Sequence, residues 1–375
     1  MGYAVRVVDM NVDGKPDIVV VDTDRVVWFE NPDWRLHTII EGQTLRDNVC
    51  IAPEDIDGDG QVDFALGADW RPFDTREGGT IQWLRRGNQP DERWEVLPIG
   101  SEPTLHRMQW ADLDGGGRRA LIVLPLMGRN STKPLYAESP VRMLAYRVPG
   151  RPAHDAWQPE VISQQLHVAH NFWPTDLDRD GRLDLLVASF EGVTWLRRDS
   201  PAAGGWQHIL LGEGNQQSQP NRGASEVKAG RLGTGRDYIA TIEPWHGHQV
   251  VVYVSPHERV VASDERAPWP RQVLDDELLW GHAVWCANLD DDADEELVIG
   301  VRDTHDADHP CGLRIYDPAD LRGGQWQRQL VDPGGVAIED LTVADLDGDG
   351  RPDVVAVGRA THNVRIYWNT GAAAP

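Results

Sequence analysis

Seven times along this chain a short acidic turn is followed at once by an apolar run, and no other feature of the sequence constrains the fold as tightly. The clearest copies are Asp55-Ile56-Asp57-Gly58-Asp59-Gly60 with Asp63, Asp176-Leu177-Asp178-Arg179-Asp180-Gly181 with Asp184, and Asp345-Leu346-Asp347-Gly348-Asp349-Gly350 with Asp353. Two further copies keep their oxygen-bearing positions, Asp9, Asn11, Asp13 and Asp17 in the first and Asn288, Asp290, Asp292 and Glu296 in the sixth. Oxygens at the first, third, fifth and ninth positions wrap a hard cation, and the Gly at the sixth permits the sharp turn between them. The other two copies are degraded. Around Asp112 and Asp114 the later ligands become Gly116 and Ala120, and the stretch from Ala229 to Gly235 has no acidic residue left. The pattern therefore predicts about five calcium sites. The plain alternative, acidic turns that merely solvate a surface, does not account for so regular a spacing.

These are not EF-hands, because no helical periodicity flanks them. β-branched runs follow instead, as in Asp17-Ile18-Val19-Val20-Val21, Leu185-Leu186-Val187-Ala188 and Val354-Val355-Ala356-Val357. The turns recur roughly every 55 residues, a period that belongs to propellers or solenoids. Each unit offers four strand-like runs, in the first unit Tyr3 to Val8, Asp17 to Val21, Val26 to Phe29 and Trp34 to Ile40. The fourth run is led by a Trp, at Trp34, Trp94, Trp157, Trp206, Trp269 and Trp326, and these are expected to pack in the core. The expected fold is an all-β, seven-bladed β-propeller with calcium-binding turns, a single domain over residues 1–375. Seven turns against six Trp-led strands leave blade seven short of its outer strand. The expectation is that residues upstream of Met1 in a longer natural chain supply it, since an open blade leaves an exposed edge.

A formal net charge of −24 argues against nucleic acid as a partner, and bound calcium would offset much of it. Three cysteines, Cys50, Cys286 and Cys311, do not make a disulfide framework. No apolar run is long enough to span a membrane. The expected location is extracytoplasmic if a signal peptide precedes this chain and cytoplasmic otherwise.

The turns also orient each blade. The first-to-second and third-to-fourth turns share one end, while the second-to-third turn and the link to the next blade share the other. That other end collects His106, His167, His170, His246, His248, His282, His305, His309 and His362, with only His37, His154, His208 and His257 elsewhere. It also collects Arg46, Arg107, Arg222, Glu226, Glu339 and Asp340. This sorting predicts a funnel lined with imidazole, guanidinium and carboxylate, against the simpler reading that loops are polar anyway.

Within that set, His170, His246, His248 and His282 form a candidate site for zinc or another divalent metal, or equally an acid–base group. Cys286 lies about 13 Å along a strand from His282, too far to share an ion, and reads as a core cysteine. His106 and His167 are candidates for proton abstraction, and Arg222 for holding a carboxylate or enolate oxygen. Trp70, Arg107, Glu226 and Trp245 are candidates for substrate binding, with Trp280 a further stacking surface.

The acidic turns with their aliphatic strands resemble FG-GAP or VCBS repeats, the blades of integrin α-chain heads and of many bacterial propellers. A narrower likeness runs through Ile242-Glu243-Pro244-Trp245-His246-Gly247, Gly281-His282-Ala283-Val284-Trp285-Cys286-Ala287-Asn288 and Val343 to Arg351. These stretches resemble the propeller domain of aldos-2-ulose dehydratases and, more distantly, the propeller ulvan lyases. That resemblance implies β-elimination on a keto-sugar or uronate-containing glycan, with a histidine or tyrosine base and an arginine or metal facing the enolate. The expected partner is a carbohydrate or sugar-derived small molecule. Two other readings stay open: a non-catalytic module binding glycan or protein, and a glycoside hydrolase using carboxylates such as Glu226 with Glu339 or Asp340.

Overall fold

Each acidic turn joins the first two strands of an antiparallel sheet, so the repeat in the sequence becomes a repeat of sheets. The computed structural model describes residues 2–87, 89, 92–198, 205–258, 260, 268–290, 292–302 and 308–371. They form an all-β propeller of seven blades, with no helix among the described residues. Blade one runs Gly2–Val8, Asp17–Asp22, Arg25–Glu30 and Arg35–Glu41, paired in chain order. Six sheets have four strands; the seventh has three among the described residues, Ile338–Ala344, Asp353–Gly358 and Asn363–Tyr367.

Packing divides the chain into two compact units, residues 1–168 with 346–348 and residues 169–345 with 349–375. The first holds blades one to three and the second blades four to seven. Within each unit the first strands of successive blades lie side by side. The core sits between sheets. In the first unit Val19, Val21 and Trp28 pack on Ile51, Phe64 and Leu66 of the next blade, and in the second Leu186, Ala188 and Trp195 pack on Val227, Ile239 and Val251. Each such aliphatic side chain contributes roughly 1.5–3 kcal/mol by leaving water, so these layers, and not the turns, hold the blades together.

Of the Trp residues expected in the core, Trp94, Trp157 and Trp269 are buried, while Trp34, Trp206 and Trp326 are half-buried. A second aromatic series was not anticipated from the sequence. Every third strand carries one: Trp28, Trp83, Tyr146, Trp195, Tyr253, Tyr316 and Tyr367. In blades five to seven the phenol donates to a carboxylate that an arginine also holds, as Tyr253 on Glu243 with Arg271 and Tyr316 on Asp275 with Arg328.

The turns share one design. The first Asp accepts from backbone amides four and five residues on: Asp9 from Asp13 and Gly14, Asp55 from Asp59 and Gly60, Asp176 from Asp180 and Gly181, Asp345 from Asp349 and Gly350. The sixth-position glycines take left-handed backbone, φ +85° at Gly60 and +88° at Gly181, where a side chain would be strained. The ninth-position acid opens the second strand and ties the third, Asp17 accepting from the amide of Asn31 and Asp63 from that of Arg86, each at 2.8 Å.

Candidate active site

Because the first two strands of a blade run antiparallel, the start of the first and the end of the second meet at one edge, opposite the acidic turn. In blade five Glu226 pairs with Ile242, and in blade six Gly281 pairs with Val301. That edge of the second unit collects His170 just before the strand Asn171–Thr175, Glu226 opening Glu226–Arg231, His246 just after Asp237–Glu243, and His282 within Gly281–Ala287. Arg302 follows Glu296–Val301, and Glu339 lies in Ile338–Ala344.

Three imidazoles converge there. A nitrogen from each of His170, His246 and His282 lies within 4.8 Å of the others. The rings stand nearly perpendicular, with centroids 4.4 Å apart for His170 and His246, 5.2 Å for His170 and His282, and 5.0 Å for His246 and His282. His170 and His282 are buried, 1% and 2% exposed. The turn that carries His246 depends on Gly247, where a Cβ would come within 2.2 Å of the Glu243 carbonyl oxygen.

Each ring is oriented from behind. His170 directs Nδ1–H at the Ser225 carbonyl oxygen, 3.2 Å away, with Glu226 Oε1 beside it at 2.8 Å. The other oxygen of Glu226 accepts a short hydrogen bond from Asn171. His282 donates Nδ1–H to the backbone carbonyl of Glu339 at 2.5 Å. His246 differs: its Nδ1 faces Arg302 Nη2 at 3.3 Å, and its Nε2 lies 2.8 Å from Nε2 of His170. Arg302 is steadied in turn by Glu339, 3.5 Å from each of its oxygens, and Arg359 reaches the same carboxylate at 3.6 Å.

One wall is aromatic and basic. Trp245 lies 4.3 Å from His246 and 5.9 Å from His170, ring to ring, and Phe190 stands edge-on to it. The Arg222 guanidinium lies over Phe190 at 5.5 Å, and the Arg222 carbonyl meets the amide of Trp245. Arg222 Nε and Trp245 Nε1 are buried without a hydrogen-bond partner.

The donor set suits a divalent metal. Imidazole nitrogens converge, and in His170 and His282 the far nitrogen is bonded to an oxygen acceptor, the outer support that metal-bound histidines use. His248, grouped with them on sequence grounds, is exposed and lies outside the cluster of three. Cys286 is also outside it, and burial pushes its thiol up to about 12. Glu226 and Glu339 each serve an imidazole or guanidinium. Arg302 escaped the sequence reading, yet it follows the second strand of blade six as His246 follows that of blade five, which was signal enough to find it.

Of the remaining candidates Trp280 lies exposed in the second unit, and His106, His167, Trp70 and Arg107 lie in the first. His106, on the strand Leu105–Ala111, is buried and stacks on Trp70 with centroids 5.0 Å apart. Arg107 folds back on the His106 carbonyl, and His167 is half-buried in the link before blade four. His305 falls outside the described residues. His37 lies on the outer strand Arg35–Glu41, away from the histidine-rich end as expected, and is buried, stacked on Trp28 and 3.0 Å from Glu30.

At the opposite edges, carboxylate oxygens gather within 4.8 Å in four turns: Asp55, Asp57 and Asp59; Asp176, Asp178 and Asp180; Asp290, Asp292 and Glu296; Asp345, Asp347 and Asp353. Burial, reinforced by neighbouring carboxylates, pushes Asp63 up to about 6 and Asp184 and Glu296 up to about 7. In the two degraded turns an arginine stands against the carboxylate that remains, as Arg85 does against Asp57 and Arg197 against Asp178 in intact ones. Arg147 lies 2.9 Å from Asp114, and Arg179, reaching from turn four, donates to both oxygens of Asp237 and to the carbonyl of Gly235.

Comparison with known proteins agrees with these features. Residues 78–256 match the β-propeller domain of aldos-2-ulose dehydratase, and residues 9–66 match an FG-GAP-like repeat. Of the stretches that carried the narrower likeness, Ile242 to Gly247 falls inside the first match. The aldos-2-ulose dehydratase of Phanerodontia chrysosporium is 27% identical over 288 residues, covering 72% of this chain; the chain spans 29% of the length of that relative. Among solved structures, an Agrocybe aegerita lectin that recognises non-reducing terminal N-acetylglucosamine aligns with a TM-score of 0.56 at 14% identity, over 95% of this chain and 89% of its own. The β-propeller domain of Myceliophteria thermophila Cps50 (Swd1) aligns at 0.54 and 9%, over 98% and 97%. At such identities these two show the fold alone.

Proposed function

We propose that this chain is a carbon–oxygen lyase or dehydratase that performs β-elimination on a sugar-derived substrate, a keto-sugar or a uronate-containing glycan. The observation that carries the reading is the cluster of His170, His246 and His282 beside an aromatic and basic wall. Two buried donors on that wall, Arg222 Nε and Trp245 Nε1, favour an oxygen-rich ligand. A buried donor without an acceptor costs on the order of 1–3 kcal/mol, which a ligand oxygen would restore. The relative named aldos-2-ulose dehydratase supports the same class of chemistry.

Elimination needs a base, a group facing the enolate and an acid for the leaving oxygen. His282, whose Nδ1–H is donated to Glu339, has its Nε2 lone pair turned away from that bond and takes the proton from the carbon beside the carbonyl or carboxylate. Negative charge gathers on that oxygen opposite Arg222. The β C–O bond then breaks, the double bond forms, and the departing oxygen receives a proton from His246 Nε2. A divalent metal held by His170, His246 and His282 would occupy the same Nε2 atoms, so it would stand as an alternative to this acid–base pair: it would supply Lewis-acid stabilisation of the enolate oxygen, and the base would then be His106 or His167. His106 and His167 are the candidate bases of the first unit, and their alanine variants belong in the same assay.

The test is incubation of the purified protein with keto-sugars and uronate-containing glycans, with zinc and other divalent metals, while ultraviolet absorbance of a conjugated product is followed. Wild type should produce it, and His282→Ala should lower the rate about 100-fold or more. Silence across the whole panel sinks the proposal.

A second reading, glycan binding without turnover, rests on Phe73 and Trp280, which are 64% and 43% exposed. It requires sugar to be bound and recovered unchanged, with alanine at either position weakening binding.

A further inference from the structure

We infer that Arg302 sets the protonation pattern of the three-histidine cluster, holding His246 as the proton-carrying imidazole while His170 and His282 are preset as metal-binding or proton-accepting ones. The inference rests on the reading above that these three rings are the working centre, and it adds a residue that decides what the centre can hold.

A guanidinium has only N–H donors and never accepts a hydrogen bond. The ring nitrogen facing Arg302 Nη2, His246 Nδ1, therefore presents a lone pair, and a neutral imidazole then carries its proton on Nε2. That Nε2 points along a 2.8 Å contact to Nε2 of His170, which presents a lone pair because His170 keeps its own proton on Nδ1, toward Ser225 and Glu226. The hydrogen bonds thus run in one direction, Arg302 donating to His246, His246 to His170, and His170 to the accepting oxygens of the Ser225–Glu226 corner.

The opposite arrangement holds at His282. There the backbone oxygen of Glu339 takes the Nδ1 proton and leaves the lone pair on Nε2. The side chain of the same Glu339 steadies Arg302. One residue thus fixes opposite tautomers on two neighbouring rings, through its carbonyl on one and its carboxylate on the other.

A divalent ion bound by all three Nε2 atoms requires His246 to move its proton to Nδ1, against the Arg302 donor. Arg302 therefore weakens three-histidine metal binding and favours a proton between His246 and His170. Its side chain is 15% exposed, and Arg359 remains on Glu339 if Arg302 is replaced, so the Glu339 carboxylate is not left without a cation.

The experiment titrates the intact protein with zinc in competition with a chromophoric chelator, for wild type, Arg302→Met, Arg302→Lys and His282→Ala. Nitrogen-15 chemical shifts of the histidines report the tautomers without metal. Arg302→Met should bind zinc at least tenfold more tightly and raise the share of His246 that carries its proton on Nδ1, against the pull of His170 that remains, while Arg302→Lys, which keeps a donor, should match wild type. Unchanged or weaker zinc binding by a folded Arg302→Met, or no tautomer shift at His246, overturns the inference. If His282→Ala leaves zinc binding untouched, the cluster is not the zinc site, and the reading beneath the inference fails instead.

Discussion

At the scale of single residues, the site depends on groups that never touch a ligand. Glu226 stands behind His170 with its other oxygen held by Asn171, and such outer partners typically change metal affinity or activity by about 10- to 100-fold when removed. Glu226→Gln keeps the shape and removes the charge. It should weaken zinc binding by about tenfold or more in a competition titration, and an unchanged affinity would show the carboxylate to be passive. Much of this centre was legible. The sorting by blade end brought out His170, His246 and His282. It brought in His248 as well, because a sequence cannot show that the turn at Gly247 leaves this second ring exposed. The same sorting placed Glu339 at this end, and the position of Arg302 after its strand could have added it; what the sequence hid is their contact with each other and with His246 and His282, because a contact between distant stretches leaves no local pattern.

At the scale of the turn and its sheet, the strands and acidic loops were legible because their chemistry is local. A ligand run, a glycine and a β-branched stretch follow one another within a few residues. What fills the degraded turns was not legible, since Arg147 comes from the end of the third strand and Arg179 from the turn of the preceding blade. Arg179 answers the buried Asp237 carboxylate. Arg179→Met leaves that charge without its guanidinium and should destabilise the fold by roughly 1–3 kcal/mol. Adding Asp237→Asn should recover most of the loss in a chemical denaturation series. If the double variant is no better than the single, Arg179 does not act through that carboxylate.

At the scale of the whole molecule, 60 acidic residues face 36 basic ones, and several acids are buried where repulsion adds to desolvation. Asp63, Asp184 and Glu296 have folded values raised above those of free carboxylates, so the folded state favours their protonated forms. Their contribution is present in full at acid pH and is lost as pH rises through about 6 for Asp63 and about 7 for Asp184 and Glu296. In chelator, the melting temperature should therefore fall between pH 5 and pH 8. Calcium, which we propose for these turns, should raise the curve and flatten its slope, because it offers the counter-charge that the proton otherwise supplies. A pH-independent melting temperature in chelator would refute this account.

The amides that each leading aspartate accepts lie within its own turn, four and five residues along the same chain. Such a loop can close as soon as its own residues are in place, from backbone geometry alone. The calcium we propose for these turns would meet a shape already made and change how long it lasts, not whether it forms. Assembly and loading would then be separate events, and the molecule in chelator should keep its outline and lose its endurance.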